Sequence, residues 1–231
     1  MEWSQYIDRS QQTLLRLIAV VFSMVGLADG VRPATLPRAL RATVFHTLRP
    51  AESGLRRLIY TLALEMEREG YVLPEWVKRA FPNVVISSGN GAERVPAFRL
   101  IDPRKYFAEV STSKRPRYTK GCPNIRFFDD DDWDCGAAPR VPSMPLPDDL
   151  MDATQICNRL LALRAGLEDI PKQAKRMLRL KARDQRRFIF KAPMRPGLPP
   201  GWRENGQGEI DEVLRECHRL AKWALHPPKP G

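Results

Sequence analysis

The chain has 231 residues, 43% of them apolar, and its 38 basic and 27 acidic side chains leave a net charge of +11. That apolar share is enough to bury a core and excludes a wholly disordered chain, while 21 prolines, about twice the usual share, point to helices joined by extended connectors. The charge is uneven: residues 1–120 carry 19 basic and 11 acidic groups, 121–149 carry 2 and 7, and 150–231 carry 17 and 9, balances of +8, −5 and +8 that suit an anionic partner but do not choose among nucleic acid, membrane and protein.

In chain order, residues 3–30 grow steadily more apolar and include an uncharged run from Leu17 to Ala28. A bilayer-crossing helix needs about 20 such residues, so three readings stay open: a core helix, a membrane-associated helix with Leu17, Ile18, Val21, Phe22 and Val25 as its contact face, and an export signal. Gly30, Pro33 and Pro37 then break the chain before a short helix in which Leu40, Val44, Phe45 and Leu48 recur at helical spacing. His46 has no acidic or cysteine neighbour to recruit it. The stretch Pro50–Gly70 is the most fully specified element. Pro50 suits a first helical position, Glu52 sets a negative charge near the start, and Gly70 supplies a terminator. Leu55, Leu58, Ile59, Leu62 and Met66 form one apolar stripe, and Arg56, Arg57 and Arg68 fall mainly off it. Leu73–Phe81 reads as a further turn or two of helix.

From Asn83 the pattern changes. The β-branched Val84, Val85 and Ile86, a Ser-Ser-Gly-Asn-Gly turn and Ala97–Ile101 predict two strands, and Ile125–Phe128 a third. The turn lacks the GxxxxGK pattern of a phosphate-cradling loop. Lys114, Arg115, Arg117 and Lys120, around Tyr118, make a proline-stiffened basic loop suited to phosphate contact. Five carboxylates lie between Asp129 and Asp134, but aligning Asp130, Asp132 and Asp134 with a calcium loop puts Cys135 where glycine is needed and Val141 where a bidentate glutamate is needed. No metal site is assigned. The four cysteines contain no CxxC pair; Cys157 and Cys217 read as buried small hydrophobes, whereas Cys122 and Cys135 bracket a loop. Residues 137–147 form a proline-rich linker.

Asp148 or Asp149 is placed to cap a largely buried helix running from Leu150 to Leu167, with a break at Gly166 and Pro171. The segment from Lys172 to Arg187 has eight basic residues in sixteen: Lys172, Lys175, Arg176, Arg179, Lys181, Arg183, Arg186 and Arg187. Set against Ala174, Met177, Leu178 and Leu180, they make a basic amphipathic helix that suits phosphate, in lipid headgroups or nucleic acid. Residues 194–202 predict an ordered loop anchored by Leu198 and Trp202. The last helix spans Glu209–Leu225, with Glu209, Asp211 and Glu212 at its start and Ile210, Val213, Leu214, Cys217, Leu220, Ala221 and Ala224 as its stripe. Cys217 and His218 are adjacent and diverge by about 100° on a helix, which argues against a catalytic pair.

The segments RPAESGLRRLI, FRLIDPRK, RLLALRAGLEDIPKQAKRMLRLKAR, MRPGLPPGW and EIDEVLRECHRLA resemble a family of small basic alphaproteobacterial proteins to which no activity is assigned. The resemblance covers most of the chain and implies a bacterial source, with no ligand or catalytic residue to carry over. The expectation is a mainly α protein of the α+β type: a helical-bundle-like core, a small two- or three-stranded β insertion and proline-rich connectors. It divides into an N-terminal helical region at 1–82, the insertion at 83–149 and a C-terminal helical region at 150–231 that shares the core. The leading functional expectation is a non-enzymatic interaction protein on the cytoplasmic side of the inner membrane, held by its first helix and basic faces, with no cofactor. A nucleic-acid-binding protein using Lys114–Lys120 and the basic helix is the alternative, and a metal-dependent enzyme at the aspartate loop is third. Cytoplasm and export are the alternative locations, and a protein partner is a further option.

Overall fold

A computed structural model of the chain describes residues 3–28, 30, 32–73, 96–103, 146–186 and 192–226. The chain divides into two units, Met1–Pro103 with Pro147–Gly231, and Arg104–Leu146; apart from Leu146, the described residues belong to the first. Its described residues are mainly helical: α1 (Trp3–Val25), α2 (Arg38–Arg68), α3 (Thr154–Glu168), α4 (Ile170–Arg186) and α5 (Glu209–Leu225), with a two-stranded antiparallel sheet of β1 (Thr35–Pro37) and β2 (Leu150–Asp152).

The apolar faces read from the sequence do form one core. Ile7, Leu14 and Ile18 of α1, Val44, Leu48, Leu55, Leu58 and Ile59 of α2, Ile156, Leu160 and Leu163 of α3, Met177 of α4 and Val213 and Cys217 of α5 are all buried in it. Ile18, Val21, Phe22 and Val25, expected as a membrane-contact face, are spent on this core, and Leu17 packs against it half-buried. An apolar stripe on a helix is covered by whatever apolar surface folds against it, and here that surface is the other helices. Among the described residues no helix is long and apolar enough to cross a membrane.

The long central helix differs from its expected form in one respect. Pro50 does not begin it; α2 runs unbroken from Arg38 to Arg68 with Pro50 inside. An internal proline has no N–H to give and its ring blocks the carbonyl four residues earlier, here that of His46. The structure repairs both faults from one loop. Arg203 reaches across to donate a hydrogen bond to the His46 carbonyl, while Gly201 lies directly against the proline ring. A Cβ on Gly201 would come 2.7 Å from Pro50 N, and its φ of +84° is itself unfavourable for other residues. The far end of α2 follows the sequence. Gly70 takes φ +79°, its N–H bonds the Glu67 carbonyl and Tyr71 N–H bonds that of Met66, the paired closure that a left-handed glycine permits.

The sheet also departs from expectation. Val84–Ile86 and Ile125–Phe128 lie outside the described residues, as does most of Leu73–Phe81, and Ala97–Ile101 joins no strand. The carbonyls of this last segment are instead taken by arginines: Arg176 donates to Phe98 O at 2.8 Å and Arg56 to Arg99 O at 2.9 Å. The observed pairing sets Leu36 opposite Met151, so Leu150 is a strand residue and α3 starts at Thr154. Neither Asp148 nor Asp149 caps it. The N-cap position is Ala153, which has no side-chain oxygen to cap with, and Asp152 just before it accepts from the Thr154 N–H at 3.1 Å and hydroxyl at 2.7 Å. The expected break separates α3 from α4 at Asp169, whose carboxylate accepts from Lys172 N–H. The α5 boundaries match the expected ones.

Replacing Gly201 with alanine drives the new Cβ into the Pro50 backbone. The expected result is a loss of about 2–4 kcal/mol, read as a reduced urea midpoint. The partner change Pro50→Ala removes only the ring Cδ from this contact and leaves the backbone N and Cα, so the Gly201→Ala cost is expected to fall by less than half in that background; complete relief in the double variant would show that the ring alone, and not the backbone or the positive φ, constrains Gly201.

Candidate functional site

From Pro50 to Ile59 every residue of α2 is buried, so this part of the helix is enclosed on all sides. That enclosure takes in charged groups the sequence placed at the surface. Arg57 is 0% exposed and Arg56 4%. A guanidinium stays charged in proteins, and removing it from water is costly unless every donor finds an acceptor. Burial draws the Arg57 pKa down from its ordinary value, and the carboxylate of Asp102 opposes that shift.

The partners come from four separate places in the chain. Arg57 donates through Nη1 to the carbonyl and hydroxyl of Ser53 at 2.8 and 2.6 Å, through Nη2 to Asp102 at 3.2 Å, and through Nε to Nδ1 of His218 at 3.3 Å. Arg56 reaches the other Asp102 oxygen at 3.4 Å and Glu52 at 3.1 Å. Glu52 also accepts two bonds of 2.8 Å from the fork of Arg159 on α3. The backbone closes the remaining gap: Arg195 N–H points to Asp102 at 3.4 Å, and Asp102 N–H bonds the Pro193 carbonyl at 2.9 Å. Two carboxylates and three guanidiniums thereby tie α2 to α3, α5, the 96–103 segment and the 192–203 loop.

His218 is set by this arrangement. Its Nδ1 accepts from Arg57, which assigns the proton to Nε2, a buried atom with no hydrogen-bond partner among the described residues. The ring stands edge-on to Trp202, centroids 5.8 Å apart. Burial, then the positive charges of Arg57 and Lys222, push its pKa down to about 4, so the imidazole is neutral at pH 7. Cys217 beside it is buried and its thiol is pushed up to about 12 by desolvation, so it is a packed thiol and not a nucleophile. Cys157 is likewise buried, with its thiol shifted up. It borders an open cavity of about 370 Å³ lined by Arg32, Pro33, Ala34, Pro96, Thr154 and Asn158, and no residue of the ionic network lines that cavity.

The residues expected to meet an anion divide in two. Lys114, Arg115, Arg117, Lys120 and Arg187 lie outside the described residues, as do the aspartate loop, Cys122 and Cys135. The remainder lie on α4. Lys172, Arg176 and Arg183 are exposed there, Lys175 and Arg179 half-exposed, and Arg186 ends the helix. Lys172, Arg176, Arg179 and Arg183 follow at spacings of four, three and four, which places them on one face, while Ala174, Met177 and Leu178 fill the core from the other. Lys175 sits over the Tyr71 ring at 5.9 Å and Lys181 pairs with Glu67 at 2.7 Å. Among the described residues no group of three His, Cys, Asp or Glu side chains is placed to hold a metal ion. In the loop, Trp202 anchors as expected but Leu198 stays exposed, Gly201 taking its place.

Sequence reasoning missed the network. Its legible part is Glu52–Arg56 and Ser53–Arg57 at helical spacing; Asp102 and His218 lie 45 and 161 residues from Arg57 in the chain. Comparison of the chain with protein-family models, curated proteins and solved structures found no match.

Two consequences are measurable. Asp102→Asn leaves Arg57 and Arg56 short of a counter-charge, and a loss of about 3–5 kcal/mol is expected in denaturant titrations. For His218 the folded pKa lies below the unfolded value of about 6.5, so the unfolded state takes up the proton first. Its stabilising contribution is complete above about pH 6.5 and is lost as pH falls toward 4, about 2 kcal/mol being gone by pH 5. His218→Asn keeps an acceptor where Nδ1 lies, and should flatten stability between pH 7 and 5; an identical slope in both proteins would reject the assignment.

Proposed function

We propose that this chain is a non-enzymatic binding protein for phosphate-rich polyanions, and that nucleic acid is its partner. The observation that carries the reading is one face of α4, where exposed Lys172, Arg176 and Arg183 and half-exposed Arg179 line up over about three turns. A row of arginine forks and one ammonium along a helix matches a backbone of repeating phosphates, each neutralised phosphate releasing condensed counterions. The net charge of +11 supports attraction at long range. A second reading, docking at the anionic cytoplasmic surface of the inner membrane, is favoured by Val20 and Met24, which stand 56% and 46% exposed on α1. We rank it second because the larger apolar stripe of α1 is occupied by the core, which leaves a membrane attachment mostly to charge.

The test is a titration of labelled 30-nucleotide DNA, single-stranded and duplex, at several salt concentrations, alongside vesicles of phosphatidylglycerol. Expected is DNA binding whose log K falls steeply with log salt, and Lys172→Gln/Arg183→Gln is expected to shallow that slope by about 1.5 to 2 units. Vesicle binding without DNA binding would move the assignment to the membrane.

A further inference from the structure

A second cationic constellation lies outside the α4 face. On the first half of α2, Phe45 is half-buried and three guanidiniums converge on its ring: Arg41 at 5.7 Å, Arg49 at 5.3 Å and Arg159, from α3, at 5.3 Å from the centroid. Arg38, exposed one turn earlier, lies on the same face, since residues 38, 41, 45 and 49 follow at spacings of three, four and four. With each guanidinium under 6 Å from one ring centre, no two of Arg41, Arg49 and Arg159 can be more than about 11 Å apart, within about one and a half Debye lengths at physiological salt. Three like charges at that range repel unless something of opposite sign is near.

The acidic groups that face them are already engaged. Glu52 is held by Arg159 and Arg56, and Asp152, which feels Arg41, accepts both hydrogen bonds of Thr154. Among the described residues neither Arg41 nor Arg49 forms an ion pair; Arg41 makes one 3.5 Å contact to the sulfur of Met151. Attraction to the Phe45 π-face compensates part of the repulsion, at about 0.5–1 kcal/mol per exposed cation. It also holds the guanidiniums near the ring, and among the described residues Arg49 has no hydrogen-bond acceptor and Arg41 has only the Met151 sulfur. The two devices, an aromatic that orients arginines and a carboxylate that locks one of them from behind, describe a prepared receptor for an anion with several oxygens.

From this we infer that Arg41, Arg49 and Arg159, gathered on Phe45, form a second binding site for the phosphate groups of a nucleic-acid backbone. The inference rests on the reading of the protein as a nucleic-acid binder, and adds to it the place on α2 and α3 where the strand is gripped. The arginine side chains lie on the ring itself, so the site reads phosphate and not bases, and it is expected to be indifferent to sequence.

The same labelled DNA decides it. Arg41→Gln/Arg49→Gln removes two donors without touching the Glu52 pair, and Arg9→Gln/Arg219→Gln removes two exposed charges elsewhere as a control for net charge. The first is expected to weaken binding at least about tenfold at 0.1 M salt and to shallow the salt slope by about two units, the control by much less. Phe45→Leu, which keeps every charge, should lower affinity with the slope nearly intact, because the arginines lose their seat. Thermal melts of each variant establish that it is folded. Equal losses in the cluster and control pairs, or wild-type binding by the cluster pair while Lys172→Gln/Arg183→Gln is impaired, would overturn the α2 site and leave the α4 reading standing. Absence of DNA binding by the wild-type chain would overturn both.

Discussion

The rest of the structure depends on one obligation: two adjacent arginines, Arg56 and Arg57, are buried in the middle of a helix and must be fully solvated by protein. Meeting it recruits Asp102 and the carbonyl of Arg99 from the 96–103 segment, Glu52 and Ser53 from the preceding turn, and His218 from α5. The extended 96–103 segment pairs with no strand, and side chains, chiefly arginines, supply the hydrogen bonds that a sheet would otherwise provide. Such a network adds less net stability than an apolar replacement of the same volume could, since desolvation cancels much of its Coulomb energy. Its value lies in direction. A guanidinium fork accepts only certain placements of its partners, so the loops around α2 are located with the accuracy of hydrogen bonds.

The same helix carries its own fault and repair. Pro50 interrupts the backbone ladder at the point where α2 passes from partly exposed to fully enclosed, and the loop that mends the interruption, through Gly201 and Arg203, is the one whose Trp202 covers His218. Backbone defect and ionic network are thus served by one short stretch of chain. A loop held at Pro50 brings Trp202 onto the imidazole, and the imidazole in turn accepts from Arg57. Loss of any member is therefore expected to propagate, because each is a support for the next and few are satisfied locally.

Along α2 the polar face changes character. It begins at Arg38 in solvent, passes Arg41, Phe45 and Arg49, and ends on Glu52 and Arg56 inside. Arg159 joins the two regimes, its fork on Glu52 and its carbon over Phe45. The exposed half of this face has charge in excess of local partners and the buried half has charge in balance. The buried half of the face is thereby tied into the fold, while its exposed half carries cations gathered on one ring.

Much of this was legible in the residues. The helical stripes of α1, α2, α4 and α5, the Gly70 terminator, the boundaries of α5 and the burial of Cys157 and Cys217 all follow from local spacing, because an apolar face repeated every three or four residues has to be covered whatever covers it. Local spacing also placed a cationic face on α4. It did not reveal which covered faces would carry charge. Arg56 and Arg57 look like surface residues to any pattern that reads neighbours, since their acceptors lie 45 and 161 residues away. Pro50 looks like a helix start, because proline is excluded from interiors unless a distant loop takes over the stranded carbonyl. The α1 stripe looks equally fit for lipid or protein, as transfer from water favours both alike. The sequence by itself determined that this chain is mainly helical, basic and equipped with one dominant central helix. Only the tertiary structure decided that this helix is continuous, that its arginines are interior, and that three others meet on one phenyl ring, because each of these rests on partners that chain folding alone brings within hydrogen-bond reach.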